Sequence, residues 1–98
     1  MDFKIVWSDP AIESLGAIVA EVARDNPTAA FVLGTKLIDR MDLAAQFPLA
    51  GPIYNRAEPL IVRCLTMNDY RLYYQVIQER RHVEVLAVRH CAREQPIF

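Results

Sequence analysis

Three runs of β-forming residues, separated by two short polar turns, constrain this chain more than any other feature: Leu60 to Leu65, Tyr70 to Ile77 and Val83 to Arg89. The connections between them, Thr66-Met67-Asn68-Asp69 and Gln78-Glu79-Arg80-Arg81, leave no room for a crossover helix. Adjacent strands joined this way pair as an antiparallel meander. A sheet of that kind needs apolar cover on at least one face.

The cover is encoded upstream. Phe3 to Trp7 alternates and is rich in β-formers, which predicts a short strand that joins the sheet. Asp9-Pro10 then reads as an N-cap residue followed by proline at the first helical position. Ile12, Leu15, Ile18, Val19 and Val22 recur at helical spacing until Asp25-Asn26. Asn26-Pro27 repeats the starting device, and Phe31, Leu37, Ile38, Met41 and Ala45 fall roughly on one face of a second helix that ends before Pro48. Two helices joined so tightly form an antiparallel hairpin. From Gln46 to Pro59, Pro48, Gly51, Pro52 and Asn55 predict a loop running back across the domain. The expected order is β-α-α-β-β-β over residues 1–98, a single α+β domain with the helix hairpin packed on one face of an antiparallel sheet.

Composition narrows the classes of function. With 53% hydrophobic residues and three glycines, the chain can bury a core. A net charge of −1 is a poor basis for a general nucleic-acid binder, which carries a basic excess. Cys64 and Cys91 are far apart and outside any CxxC spacing, so they are expected as thiols in a reducing cytoplasm, with neither a disulfide nor a metal site. Nothing points to a cofactor. The first residues lack the pattern of a signal peptide, and charges break the apolar stretches short of a membrane span. The expectation is a cytoplasmic protein away from membranes.

Strand alternation selects the side chains that share a face. Tyr70, Leu72, Tyr74 and Val76 suit the core, which leaves Arg71, Tyr73, Gln75 and Ile77 on the open face. Arg63 on the preceding strand, and Arg89 or His90 at the end of the last, can project nearby. Arginines with a histidine on a concave sheet can hold phosphates and transfer protons. The plain alternative is that these arginines are solvated or paired with some of the twelve acidic residues. His90 sits at a strand end, where sites form, but a lone histidine is more often structural; His82 is a weaker candidate. Cys91 beside His90 would face the other way, which excludes a dyad. The apolar helix faces suit a groove for a partner segment as readily as a core.

The sequences Tyr70-Arg71-Leu72-Tyr73-Tyr74-Gln75-Val76 and Val83 to His90 followed by Arg93, with the Pro48-Leu49-Ala50-Gly51 loop and Arg63 upstream, resemble the RelE/ParE toxin superfamily of type II toxin–antitoxin systems over nearly the whole chain. The resemblance implies a growth-arresting toxin, neutralised by a cognate antitoxin whose extended segment wraps the helices and sheet, with higher-order toxin–antitoxin oligomers a further option. It also implies one of two targets: mRNA on the ribosome, for the RelE-like and YoeB-like nucleases, or DNA gyrase, for the ParE-like members. As a nuclease, the chain would use Arg71 on the scissile phosphate, His90 for the proton, and Arg63 or Arg93 against developing charge. The sequence departs from that pattern. Cys91 and Ala92 stand where the nucleases carry an aromatic hydroxyl or a second arginine, the tail ends Ile97-Phe98 without a late tyrosine, and Val62 and Cys64 flank Arg63 in place of lysines. Together with the low net charge, these departures favour the gyrase target over the nuclease. A degenerate toxin that only binds its antitoxin is the third reading.

Overall fold

The computed structural model describes residues 2–56, 59–93 and 95–98. Strand β1 (Lys4–Trp7) leads into helix α1 (Asp9–Ala23) and helix α2 (Pro27–Gln46), followed by strands β2 (Ile53–Asn55), β3 (Val62–Met67), β4 (Tyr70–Ile77) and β5 (His82–His90). Sheet order is β1-β5-β4-β3-β2. The α+β class, the helix hairpin and the meander are all present.

In the elements themselves, three details differ from the expectation. The sheet is mixed, because β1 runs parallel to β5, with Lys4 opposite His82 and Trp7 opposite Val85. The loop before Pro59 contains a strand, β2, which pairs antiparallel with β3; at three residues it is too short for alternation to reveal. The N-cap of α1 is Ser8, whose side chain accepts the Ala11 N–H, which leaves Asp9 in the first turn and Pro10 behind it. Both polar residues can cap, but only Ser8 keeps extended backbone, with φ −66° and ψ 160°. Asn26 caps α2 as read, accepting from the Ala29 N–H at 3.0 Å.

The main core lies between the hairpin and one face of the sheet. Leu37, Met41 and Ala44 from α2 and Ala11 from α1 pack on Leu65, Leu72, Tyr74, Val83, Val85 and Val88. Each large side chain so buried contributes about 1.5–3 kcal/mol relative to exposure. The predicted stripe of α2 is rotated: Leu37 and Met41 are buried, but Phe31 is 75% exposed and Ile38 43%. Residues 30, 37, 41 and 44 keep helical spacing toward the sheet, and Phe31 and Ile38, each one position on, turn about 100° away from it.

The pairing of β4 with β5 slips by one residue. Tyr73 lies opposite Ala87, yet Tyr74 lies opposite Val85, so Leu86 is an extra residue in β5. Such a bulge reverses the alternation beyond it. Val83 and Val85 point to the helices, as do Val88 and His90 after the bulge, whereas Ala87 and Arg89 point to the other face.

Candidate functional site

The bulge separates the residues that sequence alternation could group. Arg71 lies directly opposite Arg89, and on its other side opposite Thr66, all on the face away from the helices. His90 lies opposite Tyr70 on the helix face, with the two rings edge to face at 5.1 Å. Arg63, opposite Tyr74, shares that helix face near the far edge of the sheet. Arg93 follows β5 and reaches back to α1, where its Nη2 is 3.4 Å from Glu21 Oε2. The four candidates thus occupy three places, and only Arg71 remains on the open face.

Each candidate has defined partners. Arg63 Nη1 donates to the main-chain oxygens of Gly51, at 2.9 Å, and Leu49, at 3.3 Å, tying the 48–52 loop to β3. His90 Nδ1 accepts the Ala92 N–H at 3.0 Å, which closes the turn after β5. Hydrogen bonds to the Tyr73 hydroxyl and the Cys91 sulfur hold the Arg71 guanidinium more firmly in its charged form. Arg89 Nη1 donates to the Val88 carbonyl at 3.1 Å. Neither Arg71 nor Arg89 has a carboxylate partner among the described residues.

The face around Arg71 is not bare. Tyr73 is fully buried there with Val62 and Ala87, and Leu60, Cys64, Leu86 and Phe98 pack against them. Burial pushes the Tyr73 hydroxyl and the Cys64 thiol above their ordinary ionisation ranges, and in both cases the Arg71 charge partly opposes the shift. Residues 95–98 lie across this face, a feature that sequence reading missed. Its only signal was an apolar Pro96-Ile97-Phe98 end on a polar segment.

On the helix face, a cleft of about 860 Å³ opens between α1 and the end of β5, with Ile18, Val22 and Val88 as its floor and Glu21, His90 and Arg93 at its rim. Ser14 projects into it and accepts the Val88 N–H at 3.0 Å, occupying the edge of β5 beyond the end of β1. Among the described residues, no three His, Cys, Asp or Glu side chains converge as a metal ion would require, and no helix is long and apolar enough to cross a membrane.

The profile of the family described as the ParE toxin of the type II toxin–antitoxin system, parDE, matches residues 5–95. No curated protein matches the chain. Among solved structures, it is similar to the chromosomal ParDE system from P. aeruginosa, at 19% identity over 90% of this chain and 95% of that one, with a TM-score of 0.73. It is also similar to the archaeal RelE–RelB complex from Pyrococcus horikoshii OT3, at 14% identity over 96% of this chain and 100% of that one, with a TM-score of 0.68. The isolated E. coli RelE toxin is 19% identical over 95% of this chain and 88% of that one, with a TM-score of 0.55. At these identities the structural likeness is one of fold. The family assignment rests on the profile, which spans all but the ends of the sequence: the chain belongs to the ParE toxin family of type II toxin–antitoxin systems.

Proposed function

We propose that this toxin is held inactive by a cognate antitoxin and that its target is DNA gyrase rather than mRNA. The observation that carries the choice of target is the division of Arg71 from His90 across the sheet. A nuclease needs its phosphate-holding cation and its proton-transfer group within reach of the same few atoms. Here the two lie on opposite faces, Arg63 is engaged with loop carbonyls, and Arg93 is engaged with Glu21. The net charge of −1 supports the same reading, since docking on a phosphate-dense ribosomal surface favours a basic protein.

An antitoxin is supported by two observations. Two of the similar structures, the ParDE system and the RelE–RelB complex, are toxin–antitoxin assemblies. In this chain, Ile12, Phe31 and Ile38 expose apolar surface on the outside of the helix hairpin, around a groove of about 390 Å³. The segment from Arg89 to Arg93, exposed from Cys91 onward, is the proposed place for target contacts.

Purified protein should inhibit gyrase supercoiling, or trap cleaved DNA, and leave mRNA uncut on translating ribosomes. Co-expression with the small neighbouring open reading frame should give a stable complex and relieve growth arrest. Site-specific mRNA cuts that disappear in Arg71→Ala would overturn the gyrase reading. Loss of both arrest and complex would overturn the antitoxin-controlled toxin.

A further inference from the structure

The tail that crosses the open face is held by one side chain and a few polar contacts. Phe98 packs against the cluster of Val62, Tyr73 and Ala87. Its ring lies 5.5 Å from Tyr73 and 6.1 Å from Tyr54, the latter edge-on at 87°. Tyr54 in turn meets Tyr73 edge to face at 4.7 Å. The main chain is tied at two points, with the Tyr54 hydroxyl donating to the Pro96 oxygen at 2.8 Å and Asn55 Nδ2 to the Phe98 oxygen at 3.3 Å. The Tyr73 hydroxyl donates a hydrogen bond to Gln95 Oε1. Between these ties Ile97 is 95% exposed, so the tail grips the sheet through a single apolar anchor.

We propose that residues 95–98 are a displaceable plug, and that the slot beneath Phe98 receives an aromatic side chain from an acidic segment of a protein partner. The proposal rests on the reading of this chain as a toxin that acts on a protein. Two observations define the partner's chemistry. The slot already holds a phenyl ring, edge-on to Tyr54 and tilted 51° to Tyr73, a geometry that suits an aromatic side chain rather than a flat stack of bases. Beside it, Arg71 and Arg89 stand opposite one another without a carboxylate among the described residues. Like charges directly opposite across strands are unfavourable, and a carboxylate arriving beside the aromatic anchor relieves that. The hydroxyl of Tyr73 links the two parts, since it contacts both Gln95 of the plug and the Arg71 guanidinium.

The test uses the full chain and a fluorescein-labelled hexapeptide, Glu-Asp-Gln-Pro-Ile-Phe, with fluorescence anisotropy as the readout. Phe98→Ala empties the slot, and Tyr54→Phe loosens the tail while keeping both rings, so a folding failure of the first leaves the second to decide. Either variant should bind the peptide at least tenfold more tightly than the unaltered protein, where the tail competes. Adding Arg71→Gln should weaken that binding, as should raising the salt. Replacing the peptide's Phe by Ala should abolish it. Equal binding by variant and parent, or equal binding of the Ala peptide, overturns the proposal. So does a gain of affinity for labelled single-stranded oligouridylate in place of the peptide, which would make the slot a nucleic-acid site. Peptide exchange without gyrase inhibition by any of these proteins would leave the plug standing and remove the gyrase reading.

Discussion

Arg71 and Arg89 stand directly opposite each other across β4 and β5, and Leu86, the extra residue of the bulge, brings them there. With regular alternation from Val83 and Val85, the helix face would receive Ala87 and Arg89, and the open face would receive Val88 and His90. The bulge exchanges the two sets. Val88 joins the core and Arg89 joins Arg71.

Deleting Val88 should therefore be far more damaging than deleting Leu86. Without Leu86, Val85 and Ala87 follow one another opposite Tyr74 and Tyr73, and every later side chain keeps its face. Without Val88, the core loses a valine and Arg89 is turned toward the helices, at a cost of roughly 2 kcal/mol or more for the valine alone. Urea denaturation of the two variants checks the order, and similar midpoints would contradict it.

The Tyr74 hydroxyl donates to the Pro48 oxygen at 2.8 Å and accepts the Gly51 N–H at 2.9 Å, closing the loop that precedes β2. Tyr74→Phe strands both groups in a buried place, an expected loss of about 1–3 kcal/mol. Gly51→Ala should be at least as costly. Its Cβ would stand 2.7 Å from the Tyr74 oxygen and 3.1 Å from the Cys64 carbonyl, and neither neighbour is free to move. Thermal unfolding of both variants measures the two losses.

Alkaline pH should weaken the fold. Burial is the leading cause that raises Cys64 above its ordinary value of 9.0, and Tyr73 and Tyr74 above 10.0. The unfolded chain then ionises before the folded one. The stability these groups contribute is complete below about pH 9 and is lost as pH climbs through 10 toward the raised folded-state values. Urea midpoints should be flat from pH 7 to 8.5 and fall beyond it, with a shallower fall in Tyr74→Phe.

Ser14→Ala removes the acceptor of the Val88 N–H. The expected cost is about 0.5–1.5 kcal/mol, the net worth of one hydrogen bond beside an open cleft. Hydrogen exchange of the Val88 amide should accelerate by more than that of the neighbouring Val85. Uniform acceleration would mean that global stability alone had changed.

His90→Ala should leave gyrase inhibition close to that of the unaltered toxin, because this ring packs on Tyr70 and caps the Ala92 N–H on the helix face. Charge reversal at Arg93, in the exposed segment proposed for target contacts, should weaken inhibition. Supercoiling assays at matched concentrations distinguish the two. A His90→Ala variant that lost inhibition with its fold intact would make His90 a target contact and contradict this purely structural role for its ring.

The sequence by itself determined the two helices, the first strand and the meander, though not β2. Pro10 and Pro27 marked the two helix starts, short polar turns forced the meander, and period-two alternation assigned Leu72 and Tyr74 to the core and Arg71 to the open face. These are local signals, set by backbone sterics and by residues a few positions apart. Only the tertiary structure decided which of those residues meet. The bulge at Leu86, the rotation that exposes Phe31, the parallel placement of β1 and the seating of Phe98 between Tyr54 and Tyr73 depend on partners from 11 to 78 positions away. Alternation names the two faces of each strand, but one extra residue reverses it, and the core volume beneath selects which residue is extra. That is why Arg71 and His90, equally plausible neighbours in the sequence, end on opposite sides of one sheet.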